Sequence, residues 1–416
     1  MTQVAIIADD LTGAADSGAS FAVQWFTTTI SFVNSPLPEV DVLIRSTESR
    51  HSDLFTAVQS NHLAAKTLTD QFGFPGPQWV YKKIDSAMRG HPCEELLAVM
   101  TELGESSALV APALPSEARM TIGGRQHVGD KQLGQGSWHG SSATSNLVDL
   151  FSCQHAGMVQ VLDLETVRRG TDAVEQFLGE VAEGIVIADA QSDADLFVLA
   201  SAAVRSNFRV LCGSAGFARQ LARVLPLNRS QQSIVGTGLN EGPVLVVAGS
   251  LHPATGAQVD FLRREGLPIV RPDQAHLDEL SSSVDGPARE VAAHVEAGRS
   301  VLLTTAGLNP SKLGSSFVAS RLADIVVESM VGGRLGGLVL TGGDVAARTL
   351  ARMGASAMHL GGEVRPAMPW GIVISALAPS LPTITKAGSF GAEDALEACL
   401  DFLADFDGTR TSQRLS

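Results

Sequence analysis

The sequence predicts an α/β protein of two domains, each a mostly parallel sheet flanked by helices. Short apolar runs alternate with Ala/Leu-rich segments of helical length along the whole chain, as they do where parallel strands are joined by covering helices. The alternation breaks at residues 228–241, a polar, Gly-containing stretch without periodicity, and then restarts. With 416 residues, 44% of them hydrophobic, the chain can bury more than one core. The expected division is a domain over 1–228, a linker over 229–241 and a second domain over 242–416.

In the first half the runs at 4–8, 28–33, 40–44, 79–84, 108–111, 184–188 and 210–212 read as strands, with helices over 94–103, 194–204 and 217–225. In the second half strands are expected at 244–248, 269–270, 301–305, 338–341 and 372–375, and a helix over 345–353. A β-branched run at 383–385 leads into the last turn. Ser192 or Asp193 is placed to cap the 194–204 helix, and Asp344 the 345–353 helix. Residues 116–146, rich in Gly, Ser and His, are too long for a plain connection. They are expected to be a functional loop or lid, or partly disordered.

Bulk properties exclude several functions. With 30 basic against 44 acidic residues, net −14, the surface repels nucleic acid and anionic membrane. Cys93, Cys153, Cys212 and Cys399 lie far apart with no C-x-x-C pair, and read as reduced thiols rather than a disulfide frame or zinc site. The first apolar run meets Asp9-Asp10 at once, unlike a signal peptide. No apolar stretch approaches the roughly 20 residues that span a bilayer. A cytoplasmic protein is expected. His91, His127 and His139 show no metal-ligand spacing.

Chemistry gathers at strand ends, where ligands bind in parallel α/β sheets. The first strand ends in Asp9-Asp10-Leu11-Thr12-Gly13. Asp10 or Thr12 suits an N-cap, but two adjacent carboxylates also suit sugar hydroxyls or a metal. Tyr81-Lys82-Lys83-Ile84-Asp85-Ser86-Ala87-Met88-Arg89-Gly90 carries two lysines that alternation sends to opposite faces. One lysine is expected to enter the site and the other to be solvated. Asp85 beside Arg89 suits either an ion pair or a hydroxy-acid site, in which a lysine or arginine binds the carboxylate and an aspartate accepts a hydroxyl proton. Arg45 and Arg50 sit at and after the end of the third strand; one of them suits a bidentate carboxylate clamp, while either one alone suits a surface role. Cys212-Gly213-Ser214-Ala215-Gly216 reads as close packing at a strand-to-helix turn.

The second half holds phosphate-type turns. Gly249-Ser250 sits at a strand end, where it serves either a phosphate or a simple turn. Thr341-Gly342-Gly343-Asp344 allows close approach of an anion, and Asp344 either holds Mg²⁺ or caps the helix. Lys386-Ala387-Gly388-Ser389-Phe390-Gly391 adds glycines, a helix-like tail and a lysine. Lys386 either nears the phosphates or faces solvent. No Walker A or dinucleotide fingerprint occurs. Several phosphate-type turns in one half suggest a nucleotide.

Taken in order, Ala8-Asp9-Asp10-Leu11-Thr12-Gly13-Ala14, Lys83-Ile84-Asp85-Ser86, Arg89-Gly90, Gly213-Ser214-Ala215-Gly216, Gly249-Ser250, Thr341-Gly342-Gly343-Asp344, Gly361-Gly362-Glu363 and Lys386 to Gly391 resemble the four-carbon acid sugar kinase family over nearly the whole chain. The resemblance implies an N-terminal sugar-acid domain, a C-terminal ATP domain and transfer of phosphate to the terminal hydroxyl of D-threonate, D-erythronate or a 3-oxo-tetronate. Carried over by motif, Asp10, Arg50 and Lys82, Lys83, Ile84 and Asp85 lie on the substrate side. Ser250, Gly343 and the turn around Gly388 lie on the ATP side. The double lysine is more similar to the threonate and erythronate kinases. Ala87 stands where threonine is usual, His91-Pro92 where asparagine follows, and Ser389 where asparagine is usual; the first two departures bear on the choice of acid.

The resulting expectation is an ATP- and Mg²⁺-dependent kinase of a small sugar acid, with D-threonate or D-erythronate leading. Asp10 or Asp85 is the base. Asp10, Arg50, Lys82, Lys83, Ile84, Asp85 and Arg89 bind the acid. Ser250, Gly342, Gly343, Asp344, Lys386, Ala387, Gly388 and Ser389 bind the nucleotide. The alternatives are a 3-oxo-tetronate kinase and a sugar-acid-binding regulator without transfer activity. No metal ligand is assigned, and the state of association is open with a homodimer as the candidate.

Overall fold

The computed structural model describes residues 2–34, 36–74, 76–134, 144–153, 158–206, 208–227, 242–277, 283–306, 314–330 and 334–406. The chain forms two compact units, Met1–Gln231 and Gln232–Ser416. The expected linker at 229–241 lies outside the described residues.

In the first unit the strands pair in the order Thr28–Ser31, Val42–Ser46, Val4–Ala8, Trp79–Lys83, Val210–Gly213, Ser107–Ala111, Gly184–Ala188 and Val159–Leu162. Every pairing is parallel. Val4–Ala8 is buried along its whole length, which is why it reads as an unbroken apolar run rather than an alternation. Ile7, Val80, Val110 and Ile187 pack in one cluster with Leu68, Leu96 and Val99 from helices Leu54–Phe72 and Pro92–Leu103. The chain first builds on one side of Val4–Ala8 and then crosses to Trp79–Lys83 on the other. That reversal opens a crevice at the carboxyl ends of these two strands.

The second unit repeats the device. Ile269–Val270, Val301–Thr304, Val244–Ala248, Gly337–Thr341 and Leu381–Lys386 are parallel neighbours in that order. Pro369–Ser375 and Ala355–Glu363 then continue antiparallel. The switch point falls between Val244–Ala248 and Gly337–Thr341, whose carboxyl ends lead to Ser250 and Gly342. Ala355–Glu363 was not legible because it is half-buried and glycine-broken. A Cβ on Gly361 would lie 2.1 Å from the Trp370 ring, so the strand carries no apolar run there.

Several expectations need correction. Residues 116–146, expected as a functional loop or lid or as partly disordered, carry regular structure in their described part: Arg119–Ile122, Arg125–Val128 and Lys131–Gln132 form a small antiparallel sheet. It is held by buried polar contacts such as Thr121 Oγ1 to Gln126 Oε1 at 2.8 Å, which leave no hydrophobic alternation to read. Residues 135–143 lie outside the described residues. Cys93 and Cys153 are not reduced thiols but a disulfide, their Cα atoms 6.3 Å apart across 60 positions. The fold brings helix Pro92–Leu103 beside Leu147–Phe151, a pairing that local spacing does not reveal. Cys212 and Cys399 are free and buried. Ser192 caps helix Asp193–Arg205 in a capping box with Asp195. Asp344 does not cap its helix; Gly342 holds the cap position at φ 103°, and Asp344 lies in the first turn. Among the described residues no helix is long and apolar enough to cross a membrane.

Candidate active site

At the crevice of the first unit, two successive carboxylates meet one guanidinium. Arg50 Nε and Nη2 donate to Asp9 at 2.8 Å each, while Nη1 and Nη2 donate to Asp10 at 2.6 Å each. Asp10 also caps helix Leu11–Ala22 through Gly13 N at 2.9 Å and accepts from Thr12 Oγ1 at 2.6 Å. The capping reading therefore holds for Asp10 at the same time as its place in the crevice. Burial pushes the Asp9 carboxyl up, but Arg50, with Lys83 and Lys82, holds it below the usual carboxylate range. A Cβ on Gly13 would sit 2.5 Å from Asp10 Oδ1 and 2.9 Å from Lys83 Nζ. Glycine there leaves room for both groups.

The two lysines do face opposite ways, as alternation requires. Lys83 donates to the Ile84 carbonyl at 2.8 Å on the Asp10 side. Lys82 is not solvated: it is fully buried, 2.7 Å from an equally buried Glu95. Helix Pro92–Leu103 covers that face of the sheet and supplies the partner, which the strand sequence alone does not show. Asp85 is held bidentately by Arg89 at 2.8 Å for both bonds, and by the Ala87 and Arg89 N–H groups at 3.2 and 3.3 Å. Burial acts to raise the Asp85 pKa, but the Arg89 hydrogen bonds and the charges of Arg50, Arg89 and Lys83 drive it far below the usual range.

Two further side chains enter from the small antiparallel sheet. Arg119 Nη1 donates to Ser86 Oγ, and Gln126 Nε2 donates to the Ser86 carbonyl at 2.8 Å. Together they pin the turn after Asp85, in which Met88 adopts φ 57°. Arg119 and Gln126 escaped sequence reasoning because they lie in a stretch without periodicity; an arginine in a Gly/Ser-rich insertion was the one available signal.

In the second unit three strand ends converge. A Cβ on Gly388 would lie 2.0 Å from Ser250 Oγ, and one on Gly342 would lie 3.6 Å from Ser250 Cβ. Ser250, Gly342 and Gly388 thus line one small space, which side chains would fill. The Gly388 turn is braced from helix Pro253–Arg264: Thr255 Oγ1 donates to the Gly388 carbonyl at 2.8 Å, and Gln258 Nε2 reaches the Phe390, Gly391 and Ala392 carbonyls at 3.0 Å each. Lys386 neither faces solvent nor points out of the turn. It is fully buried and donates to the Ala387 and Phe390 carbonyls at 2.9 Å each. Burial pulls its pKa down to about 8.

A family model described as a sugar-binding N-terminal domain matches residues 4–221, and one described as a nucleotide-binding C-terminal domain matches 245–396. A D-threonate kinase of Salmonella typhimurium is 30% identical over 96% of this chain and 98% of its own length. The chain belongs to the four-carbon acid sugar kinase family. A D-erythronate kinase of Heliobacterium modesticaldum is also 30% identical, over 97% of both chains. A 3-oxo-tetronate kinase of Methylobacterium radiotolerans is 28% identical over 96% of this chain and 98% of its own. A solved Haemophilus influenzae protein shares the fold with a TM-score of 0.74 at 21% identity, covering 96% of this chain and all of that one.

In this family member the phosphate-type turn fits a nucleotide, because the space at Ser250 is lined by glycines that side chains would close. Among the described residues no three His, Cys, Asp or Glu side chains gather as a metal site. Mg²⁺ that arrives on phosphate oxygens needs only one or two protein carboxylates, and Asp344, partly exposed beside Gly342 and Gly343, fits that need.

Proposed function

We propose that the protein transfers the γ-phosphoryl group of ATP to the terminal hydroxyl of a four-carbon sugar acid, D-threonate or D-erythronate first. The observation that carries this reading is the match of both halves, over nearly the full chain, to curated kinases of such acids. The two crevices support it independently. One gathers carboxylates, a lysine and guanidinium groups suited to a hydroxy acid. The other is a glycine-lined turn suited to phosphates.

The roles follow from the contacts. Lys83, Arg89 and Arg119 supply positive charge around Asp85 for the acid's carboxylate. Arg50, already engaged by Asp9 and Asp10, fixes both aspartates so that their remaining lone pairs can orient hydroxyls. Asp85 fixes Arg89 and the turn that carries Ser86. Ser250 and the N–H groups at Gly343 and Gly388 cradle phosphates; Gly342, whose N–H is taken by the Lys386 carbonyl at 2.8 Å, leaves room for them, and Ala387 and Ser389 shape the turn. Mg²⁺, when bound with the nucleotide, neutralises phosphate charge, and Asp344 is its candidate protein ligand. Phosphoryl transfer asks little covalent chemistry of the protein beyond alignment, charge and a hydroxyl base.

The test is ADP release from Mg-ATP in the presence of D-threonate, D-erythronate, a 3-oxo-tetronate and five- and six-carbon acids. The proposal expects release dependent on a four-carbon acid, fastest with threonate or erythronate. Fastest release with the 3-oxo acid would move the protein to the 3-oxo-tetronate kinases. Acid binding without ADP release would make it a sugar-acid-binding regulator.

A further inference from the structure

The base for the accepting hydroxyl needs a carboxylate that can take a proton, and the two aspartates expected for this task are both heavily engaged. Asp85 accepts four hydrogen bonds from Arg89 and the turn backbone. Asp10 accepts four from Gly13, Thr12 and Arg50. A further carboxylate lies beside Asp9 and Asp10. Glu48 follows strand Val42–Ser46, the parallel neighbour of Val4–Ala8, and lies two residues before Arg50.

Glu48 is held in an unusual way. Its φ is +50°, a left-handed conformation that strains a non-glycine residue and persists only where the surroundings enforce it. The surroundings do enforce it. Thr47 N and Oγ1 both donate to the Ala8 carbonyl at 2.9 Å, Arg50 N donates to the Asp9 carbonyl at 3.2 Å, and Ser49 Oγ accepts from Asn61 at 3.2 Å. The turn is thereby fastened to the strand end that carries Asp9 and Asp10. Ser46 Oγ donates to Glu48 Oε1 and fixes the carboxylate, while the residue as a whole is exposed.

We propose that Glu48 is the hydroxyl base of the transfer, an inference that rests on the sugar-acid kinase reading above. The hydroxyl oxygen attacks the γ-phosphorus of a nucleoside triphosphate and forms the new O–P bond. The bond from that phosphorus to the β,γ-bridging oxygen breaks, and its electron pair leaves with the nucleoside diphosphate. The hydroxyl proton passes to the Glu48 carboxylate and from there to solvent. The charged groups that face Glu48 are Asp9, Asp10 and Arg50. Partial desolvation by the surrounding turn, followed by the negative charges of Asp10 and Asp9, raises its pKa against the lowering effect of Ser46 and Arg50, the direction that makes a carboxylate a better proton acceptor.

The experiment compares wild type with Glu48→Gln, Glu48→Asp and Glu48→Gly in acid-dependent ADP release from Mg-ATP, together with calorimetric binding of the acid. Glu48→Gln is expected to lose roughly 100-fold or more in kcat while its affinity for the acid changes little. Its pH–rate profile should lose the acid limb that wild type shows, and Glu48→Asp should recover part of the rate. Glu48→Gly relieves the left-handed strain, so it should melt at a higher temperature than wild type and still turn over slowly. A rise in melting temperature without loss of rate would overturn the proposal, as would a Glu48→Gln enzyme with wild-type kcat and an unchanged acid limb. No acid-dependent ADP from wild type would overturn the kinase reading itself and this inference with it.

Discussion

Lys82 Nζ lies 2.7 Å from Glu95 Oε2, with both side chains sealed from water. The contact is an ion pair rather than an aligned hydrogen bond, since neither Glu95 oxygen takes a hydrogen bond from a described residue. It joins the strand that ends in Asp85 to the helix that follows. Removing one partner strands the other as a buried charge, at a cost of about 3–5 kcal/mol, whereas replacing both by apolar groups of similar volume is often neutral. Glu95→Ala should therefore lower the denaturation free energy by about that much. The pair Lys82→Met with Glu95→Leu should recover most of it. Urea unfolding monitored by circular dichroism checks both. Equal destabilisation by the single and double variants would contradict the pairing.

Gly388 and Ser250 leave no room for a side chain between them. In Gly388→Ala the new Cβ, 2.0 Å from Ser250 Oγ, has to displace the serine or the turn. Nucleotide affinity should fall at least tenfold, about 1.4 kcal/mol, while affinity for the sugar acid is unchanged. Adding Ser250→Gly should restore room without restoring the hydroxyl, and so recover affinity in part. Titration calorimetry with ATP and with the acid reads both.

The buried Lys386 makes stability depend on alkaline pH. Its folded pKa is lowered from 10.5 to about 8, so between those values the unfolded chain holds more protons than the folded one. Its contribution to stability is then least below pH 8, rises through this window and is complete above 10.5. Lys386→Met, which keeps the bulk but not the titrating group, should flatten that part of the curve relative to wild type. It should also loosen the turn by removing the donors to Ala387 and Phe390. Melting temperatures at pH 7, 8, 9 and 10 measure the difference. Parallel curves for the two proteins would remove Lys386 from the account.

Asp85→Asn keeps the shape but loses the charge that holds Arg89. Turnover should fall at least tenfold while ATP affinity stays within about twofold. Arg119→Met, which removes a guanidinium donor to Ser86, should act mainly on the acid. A bond from a charged donor is worth about 1.5–3 kcal/mol, so KM for the acid should rise roughly 10- to 100-fold. Steady-state kinetics with each substrate varied in turn separate the two effects.

The sequence made the parallel sheets legible because buried strands such as Val4–Ala8 and Val244–Ala248 are continuous apolar runs. Strand-end chemistry was legible for the same reason: once the strands are placed, Asp10, Asp85, Ser250 and Gly388 fall at their carboxyl ends. What stayed hidden depends on partners far away in the chain. Nothing near Lys82 announces Glu95, and nothing near Cys93 announces Cys153. Lys386 reads as an anion ligand or a solvated lysine from its turn alone, and the sequence did not show that its ammonium also donates to two carbonyls of that turn. Arg119 and Gln126 sit in strands held by polar contacts, which leave no periodic trace. Glu48 was invisible because its weight comes from a backbone angle and from the saturation of its neighbours.

The most direct measurement is ³¹P and proton-coupled NMR of the product formed from Mg-ATP and D-threonate or D-erythronate. The expected product is a phosphomonoester on the terminal carbon, its phosphorus coupled to the two methylene protons, formed in step with ADP. Inorganic phosphate alone, or an acyl phosphate on the carboxylate, would contradict it.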